Sequence, residues 1–389
     1  MRVLQVHNRY RDPGGEDVVV EREAAALEAA GHKVARFEAS NQGSPPSIAS
    51  SLSVAPWNRS QAGRITKVID DFRPDIVHIH NTWFRLSPSV IRAASRTGMP
   101  TVMTLHNYRT LCVNALLLRD DRPCELCITD GPSAAMRFRC YHGSLALTGV
   151  ASATQATARR MGVWATDVDR FVALTSFAKD VFERGGLPSD RIVVEPNRIP
   201  QPDPRTSRAS ESHSVLFVGR IDGLKGIDIL CREWTRAQPN LGLRVLGSGP
   251  MHDSLAEQYP SIAFLGQITA EAVRTEMLSA RALIVPSIWH EGLPNVIIEA
   301  LGAGLPVAIS SSTAVSHDLP PPMSRLVFDP HSPKDWDQVL SELQSNAAVD
   351  ELSAAAVHLF NDRFADDNAE SLLAVYAEAV ASRQERSDA

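Results

Sequence analysis

Among its 389 residues the chain has no apolar run of the roughly 20 residues a bilayer-crossing helix needs. Its first residues, MRVLQVHNRY, lack the basic-then-apolar order of a signal peptide. Both absences point to a cytoplasmic protein. No internal repeat and no low-complexity run occurs. Cysteine is scarce, five residues in all, and a cytosolic setting disfavours disulfides. There is no basic-aromatic module and the net charge is -6, so no nucleic-acid partner is expected. Gly14-Gly15 lacks the third glycine that a dinucleotide fingerprint requires at fixed spacing.

What is present suits a globular protein of two domains: 44% hydrophobic and 22% charged residues, with a mean hydropathy of -0.12. Charge is unevenly spread. Residues 1–200 hold 25 Lys and Arg against 20 Asp and Glu, a balance of +5, and the remainder carries -11. A basic first half hints at a surface turned toward anions, although an even solvated spread would give the same count.

Strand-like and helix-like segments alternate from the start. Arg2 to Val6 reads as a buried strand, Glu16 to Ala30 as a helix ended by Gly31, and Lys33 to Glu38 as a second strand. Gly14 and Gly15 precede that first helix, where a bare backbone can approach a ligand; a plain strand-to-helix turn is the alternative. Ala39 to Ser60, rich in Ser, Pro and Asn, reads as a mobile loop. Asp75 to Ile79 and Thr101 to Leu105 are further strands, tipped by His80-Asn81 and His106-Asn107. This alternation predicts a doubly wound parallel sheet with ligands beyond the strand C-termini, where both His pairs fall.

The insert from Tyr108 to His142 holds four of the five cysteines, Cys112, Cys124, Cys127 and Cys140, together with Arg109, Arg119, Arg122, Arg137 and Arg139. The two-residue gap in Cys124-Glu-Leu-Cys127 lets two thiolates share a tetrahedral metal, and Cys112 and Cys140 would complete a structural zinc site. Free thiols filling a loop core are the other reading. Such an insert would cap the acceptor side or face a membrane.

A Pro, Ser and Arg-rich linker, Ile199 to His213, leads into a second strand-helix series. Val215 to Val218 runs into Gly219-Arg220-Ile221-Asp222-Gly223-Leu224-Lys225-Gly226. Two cations around a glycine turn at a strand end can hold a diphosphate, and exposed loop charges are the plainer reading. Ala282 to Val285 is followed by Glu291-Gly292-Leu293-Pro294-Asn295 and, within a helix, Glu299. Leu293 to Asn295 would sit at that helix N-terminus, where free amides and the dipole attract phosphate; Glu299 would accept hydrogen bonds from hydroxyls.

EGLPNVIIEALGAGLPV, with seven residues between Glu291 and Glu299, resembles the donor-binding signature of family 4 retaining glycosyltransferases, used in bacterial polysaccharide and glycolipid assembly. VGRIDGLKGID resembles that family's pyrophosphate clamp, and TLHNYR its segment with a His near the donor sugar and reacting carbon. IVVEPN resembles the strand that leads to the interdomain hinge, except that Arg198 stands where the family has Gly. The resemblance implies an α/β fold of GT-B architecture, two Rossmann-like doubly wound domains facing a central cleft. Its expected parts are residues 1–198 on the acceptor side, residues 199–362 binding the nucleotide sugar, and a helix in 363–389 crossing back to the first domain.

It further implies transfer of a hexose, with retention, from a UDP- or GDP-linked sugar to a hydroxyl of a saccharide or lipid-linked saccharide. Glu291, His106, Arg220 and Lys225 are the expected catalytic residues. Gly14, Gly15, Gly219, Gly292, Leu293, Pro294, Asn295 and Glu299 would bind the donor, and His80, Asn107 and Arg109 the acceptor side. No cofactor would be needed for catalysis, because the cations and amides take magnesium's place. Reaction on one face and a covalent double displacement both stay open as routes to retention. A basic first domain would suit an anionic membrane surface, placing the enzyme at the periphery of the inner face. A GT-B sugar-nucleotide epimerase and a non-catalytic sugar-nucleotide-binding subunit are the alternatives.

Overall fold

The structure, a computed structural model, describes residues 1–11, 14–367 and 369–388. Asp12 and Pro13 of the loop ahead of Gly14, and Asn368 and Ala389 of the expected final segment, lie outside the described residues. The chain divides into two units, Met1–Arg119 with Cys124–Glu195 and Asp367–Ala389, and Pro196–Asp366 with Asp120–Pro123. The change of unit thus falls at Glu195, slightly ahead of the boundary read at 198, and the return falls at Asp367, slightly after 363.

The first unit is built on the parallel strands β1 (Arg2–Arg9), β2 (Lys33–Ser40), β3 (Ile76–Ile79) and β4 (Thr101–Leu105). Two short strands, β5 (Leu118–Arg119) and β6 (Arg122–Pro123), interrupt the series before β7 (Arg170–Ala173) and β8 (Ile192–Val194). The sheet order is β2-β1-β3-β4-β7-β8. The central strands Ile76–Ile79 and Thr101–Leu105 are buried along their whole length, as strands covered on both faces must be, the polar His78 and Thr104 included. Alternation divides the side chains between the faces. Leu4, Val6, Val77, Ile79 and Leu105 join the core under the helix Arg59–Phe72, whereas Val3, Ile76, Val102 and Val172 pack on Val375, Tyr376 and Ala379 of the C-terminal helix Glu370–Asp388.

Ala39 to Ser60 is not simply the loop its composition suggests. Pro45–Val54 is a helix with Ser44 at its N-cap and proline in its first turn. Its Ile48 and Leu52, one turn apart, pack against the apolar cluster that includes Trp83, Phe84 and Cys127.

In the second unit the strands β9 (Ser214–Val218), β10 (Gly242–Leu246), β11 (Ala263–Gly266), β12 (Ala282–Val285), β13 (Val307–Ser310) and β14 (Val327–Phe328) form a second parallel sheet. Their order is β11-β10-β9-β12-β13-β14. From β9 the chain winds outward to β10 and β11, then crosses to β12 on β9's other side, where Ala282 pairs with Val215 and Leu283 with Leu216. The direction of winding reverses there, and ligands of doubly wound sheets bind beyond the strand C-termini at such a switch point. Arg198, where the family resemblance expects Gly, gives a side-chain hydrogen bond to the Ala365 carbonyl at 3.2 Å, beside the Ile199 amide bonded to Phe364 O at 2.9 Å. Among the described residues no helix is long and apolar enough to cross a membrane.

Candidate active site

The loops after β9 and β12 carry the second unit's chemistry. Asp222 shapes the first by accepting the Lys225 amide at 3.1 Å, and the loop closes at Gly226 with φ 66°. A Cβ at Gly226 would lie 2.1 Å from the Pro286 carbonyl oxygen, so only glycine lets the two loops approach this closely. The Ile288 amide then bonds Leu224 O at 3.0 Å, tying them together. In consequence the Lys225 ammonium meets the Glu291 carboxylate directly, and Ser287 Oγ donates to the other carboxylate oxygen at 2.9 Å. Lys225 keeps 24% of its side-chain surface and Glu291 13%, so this pair remains reachable by a ligand.

Arg220 is paired with Asp222, its side chain 65% exposed, and does not join the Lys225–Glu291 pair. Gly219 holds the strand end through its amide to Leu246 O at 3.0 Å. Gly292, Leu293 and Pro294 precede the helix Asn295–Gly302, with Pro294 at its N-cap, and Glu299 lies half-buried on that helix. Asn295 is also reached by Asn197 Nδ2 at 3.5 Å. Asp222 and Ser287, which orient Arg220 and Glu291, escape a motif reading because neither would touch a ligand itself.

The first unit's candidates gather at the ends of β1, β3 and β4. His80 is 3% exposed and its Nδ1 lies 3.1 Å from Nε2 of the half-buried His106, so it stands behind His106. Both rings line a pocket with Trp83, Arg109, Gln155 and Trp164. Burial lowers the His106 pKa to about 3 and that of His80 well below its ordinary value, which keeps both neutral. Asn107 Oδ1 accepts the Arg109 amide at 3.0 Å, and its Nδ2 approaches Tyr10 Oη at 3.2 Å and Glu16 Oε2 at 3.5 Å. Arg109 itself lies over the rings of Trp83 and Tyr141, at 5.0 and 5.4 Å from their centres.

Gly14 caps the helix Gly15–Ala29, its amide bonded to Asp17 Oδ2 at 2.8 Å. Its φ is -129° and a Cβ there would meet nothing within 4 Å, so the fold does not require glycine at this position. The same helix supplies two carboxyls that sequence reasoning did not single out, Glu16 and Glu23. Their only signal was a spacing of two helical turns at the end facing the His-tipped strands.

Among the described residues no three of the sulfurs of Cys112, Cys124, Cys127 and Cys140 lie within 4.8 Å of one another. Cys112, Cys124, Cys127 and Cys140 are all thiols outside any disulfide, and among the described residues the one group of three potential ligand atoms within 4.8 Å of one another is Glu23, His78 and His80. Cys112 gives its thiol hydrogen to Asn114 Oδ1 at 2.8 Å, while Cys127 and Cys140 face the apolar cluster of Trp83, Phe84 and Ala135. Ile48 and Leu52 of the helix Pro45–Val54 pack against the same cluster. The nearness of the Cys112 and Cys127 thiols lowers the first one's pKa and raises the second's.

This geometry has counterparts among known proteins. Residues 14–198 match the family described as glycosyl transferase 4-like domain, and residues 212–346 match glycosyl transferases group 1. The chain is 28% identical over 307 residues to D-inositol 3-phosphate glycosyltransferase of Streptosporangium roseum, a match covering 73% of this chain and 65% of that relative's length. Sucrose-phosphate synthase from Thermosynechococcus elongatus superposes with a TM-score of 0.69 at 15% identity over 100% of both chains. HepE of Anabaena, solved in complex with UDP, gives 0.64 at 15% identity, covering 100% of this chain and 99% of that one. The fold is GT-B, with two Rossmann-like parallel-sheet domains. Within that class the chain belongs to the family 4 glycosyltransferases.

Proposed function

We propose that the protein is a retaining glycosyltransferase that moves a hexose from a UDP- or GDP-linked sugar to a hydroxyl of a saccharide or lipid-linked saccharide. The observation that carries this is the Lys225–Glu291 pair, a cation and an acid held by loops from adjacent strands where the winding of the second sheet reverses. A diphosphate draws Lys225 off Glu291, freeing the carboxylate for the sugar hydroxyls. Solved structures of HepE with UDP and with UDP-glucose support a nucleotide-sugar ligand for this fold.

In the reaction the bond from the anomeric carbon to the β-phosphate oxygen breaks and a bond to the acceptor oxygen forms, the acceptor proton passing to phosphate. Charge accumulates on the departing diphosphate, and Arg220, Lys225 and the amides of Gly292 to Asn295 stabilise it there. Glu299 takes the ribose hydroxyls. His106 serves the transferred sugar near its reacting carbon, and Asn107 and Arg109 the acceptor. The basic first half suits an acceptor on an anionic membrane surface, where each nearby Lys or Arg adds about 1 kcal/mol.

Glu291→Ala tests the reading. Transfer from a UDP- or GDP-sugar is expected to fall at least about 100-fold, as when one preorganised group of this kind is lost, with thermal unfolding nearly unchanged. Full transfer by this variant would refute the assignment.

A further inference from the structure

One face of the first sheet ends in a cluster that contains His106 and extends behind it to residues with no assigned role in donor binding. Every second residue of a strand points the same way. On the face toward the helices Gly15–Ala29 and Glu370–Asp388 this gives Val3, Gln5 and His7 from β1, Ile76, His78 and then His80 from β3, and Val102, Thr104 and then His106 from β4. The N-terminal ends of these rows are apolar. At their C-terminal ends four imidazoles meet: the His78 and His80 ring centres are 4.1 Å apart, His80 and His106 5.4 Å, and His7 and His80 6.3 Å.

The contacts run in a line. Nδ1 of His80 lies 3.1 Å from Nε2 of His106. On the other side of the His80 ring, Nε2 lies 3.4 Å from Glu23 Oε2, and both atoms are buried with no better-formed hydrogen bond to another residue. At 3.4 Å the two atoms are within reach of a mutual hydrogen bond. His78 does not compete for it, although its Nδ1 is 3.5 Å from the same oxygen. That nitrogen is 2.8 Å from Tyr376 Oη, and its Nε2 is 2.8 Å from Thr104 Oγ1, so both ring atoms are engaged. Glu23 keeps 21% of its side-chain surface, enough to exchange a proton with water, whereas the His80 side chain keeps none.

We propose that Glu23 and His80 are positioning residues that set the tautomer of His106, the protonation state of Glu23 being relayed through the His80 ring. The proposal rests on the reading that His106 serves the transferred sugar. A neutral imidazole carries one N–H, so each ring passes on the direction of its hydrogen bond. A protonated Glu23 donates to His80 Nε2. His80 Nδ1–H then donates to His106 Nε2, and His106 bears its hydrogen on Nδ1. An ionised Glu23 accepts from His80 Nε2–H, His80 Nδ1 accepts from His106 Nε2–H, and Nδ1 of His106 is left as an acceptor. The two states present opposite hydrogen-bonding characters at one ring atom, with no charge on either histidine.

The surroundings favour Glu23 as the group that titrates. Burial pushes its carboxyl up to about 8, with the Glu195 charge adding to the effect. Burial also lowers His78 and His106 to about 3, His80 well below its ordinary value, and His7, the last against the hydrogen bond to Asp17 at 2.8 Å. The Tyr376 hydroxyl is held well above its ordinary value.

NMR of the full chain with 15N-labelled histidine reads tautomers directly, His106 being assigned by the loss of its signals in His106→Gln. His106 is expected to pass from the Nδ1–H to the Nε2–H form as pH rises through about 8. In Glu23→Gln, which cannot ionise, one tautomer should persist across the range. A His106 tautomer indifferent to pH in the unsubstituted protein, an unchanged transition in Glu23→Gln, or a stoichiometric divalent metal bound at His80 Nε2 would overturn the proposal. None of these readouts needs a substrate, so a failure here is distinct from the failure of transfer that Glu291→Ala examines.

Discussion

Glu16 shows how far one side chain can depart from its usual chemistry. Burial holds its carboxyl up to about 8, against the hydrogen bond from Tyr10 Oη at 3.1 Å, which acts the other way. The folded value lies above the ordinary 4.5, so between those values the folded chain keeps a proton that the unfolded chain has released. Stability from this group is complete below about 4.5 and is lost as pH rises toward 8. Glu16→Gln is expected to remove that loss, a gain of roughly 3–5 kcal/mol at pH 8 and nearly none at pH 4, measured by denaturant unfolding at the two values. The same residue lies beside Asn107 and Arg109, and its carboxyl could be inferred from sequence only as a polar position on the first helix. Lys225 and Glu291 were legible, because their motifs fix both spacing and residue type. Their direct pairing was not, since 66 positions separate them and a shared contact at that range depends on the approach of two loops.

At the scale of elements that approach depends on Gly226. Gly226→Ala would drive a methyl group into the Pro286 carbonyl and part the loops that bring Lys225 to Glu291. A rise in KM for the nucleotide sugar and a loss of about 2 kcal/mol in stability are expected, read by steady-state kinetics and by thermal unfolding. The C-terminal helix is the other element with a decisive contact. Arg383 Nη2 lies 2.9 Å from Oδ2 of the fully buried Asp169, which also accepts the Thr101 amide at 2.7 Å. Arg383→Ala, by leaving part of that charge uncompensated, should cost roughly 1–3 kcal/mol and lower the melting temperature. Strands were easy to read in this chain because their apolar runs are short and bounded by His, Asn or Gly. The helix Pro45–Val54 was missed because Ser and Pro dominate its composition, yet a proline in the first turn after Ser44 is a helix start, and the half-buried pair Ile48 and Leu52 supplies its apolar face.

For the whole molecule the sharpest expectation concerns ligand-linked stability. A UDP- or GDP-sugar at 100 times its Kd should stabilise the chain by about 2.7 kcal/mol, seen as a higher melting temperature, and Lys225→Ala should abolish the shift at the same ligand concentration. A panel of sugars on both bases would identify the donor by the largest shift. By itself the order of residues determined the alternation of strands and helices, the two sheets, and the motifs at the strand ends, because short-range periodicity and local spacing are written in the chain. Only the tertiary structure decided which of those residues meet: Lys225 with Glu291, His80 with His106 and Glu23, and Tyr376 with His78. Contacts between distant segments depend on how sheet faces and loops are filled, and that filling is a property of the packed fold.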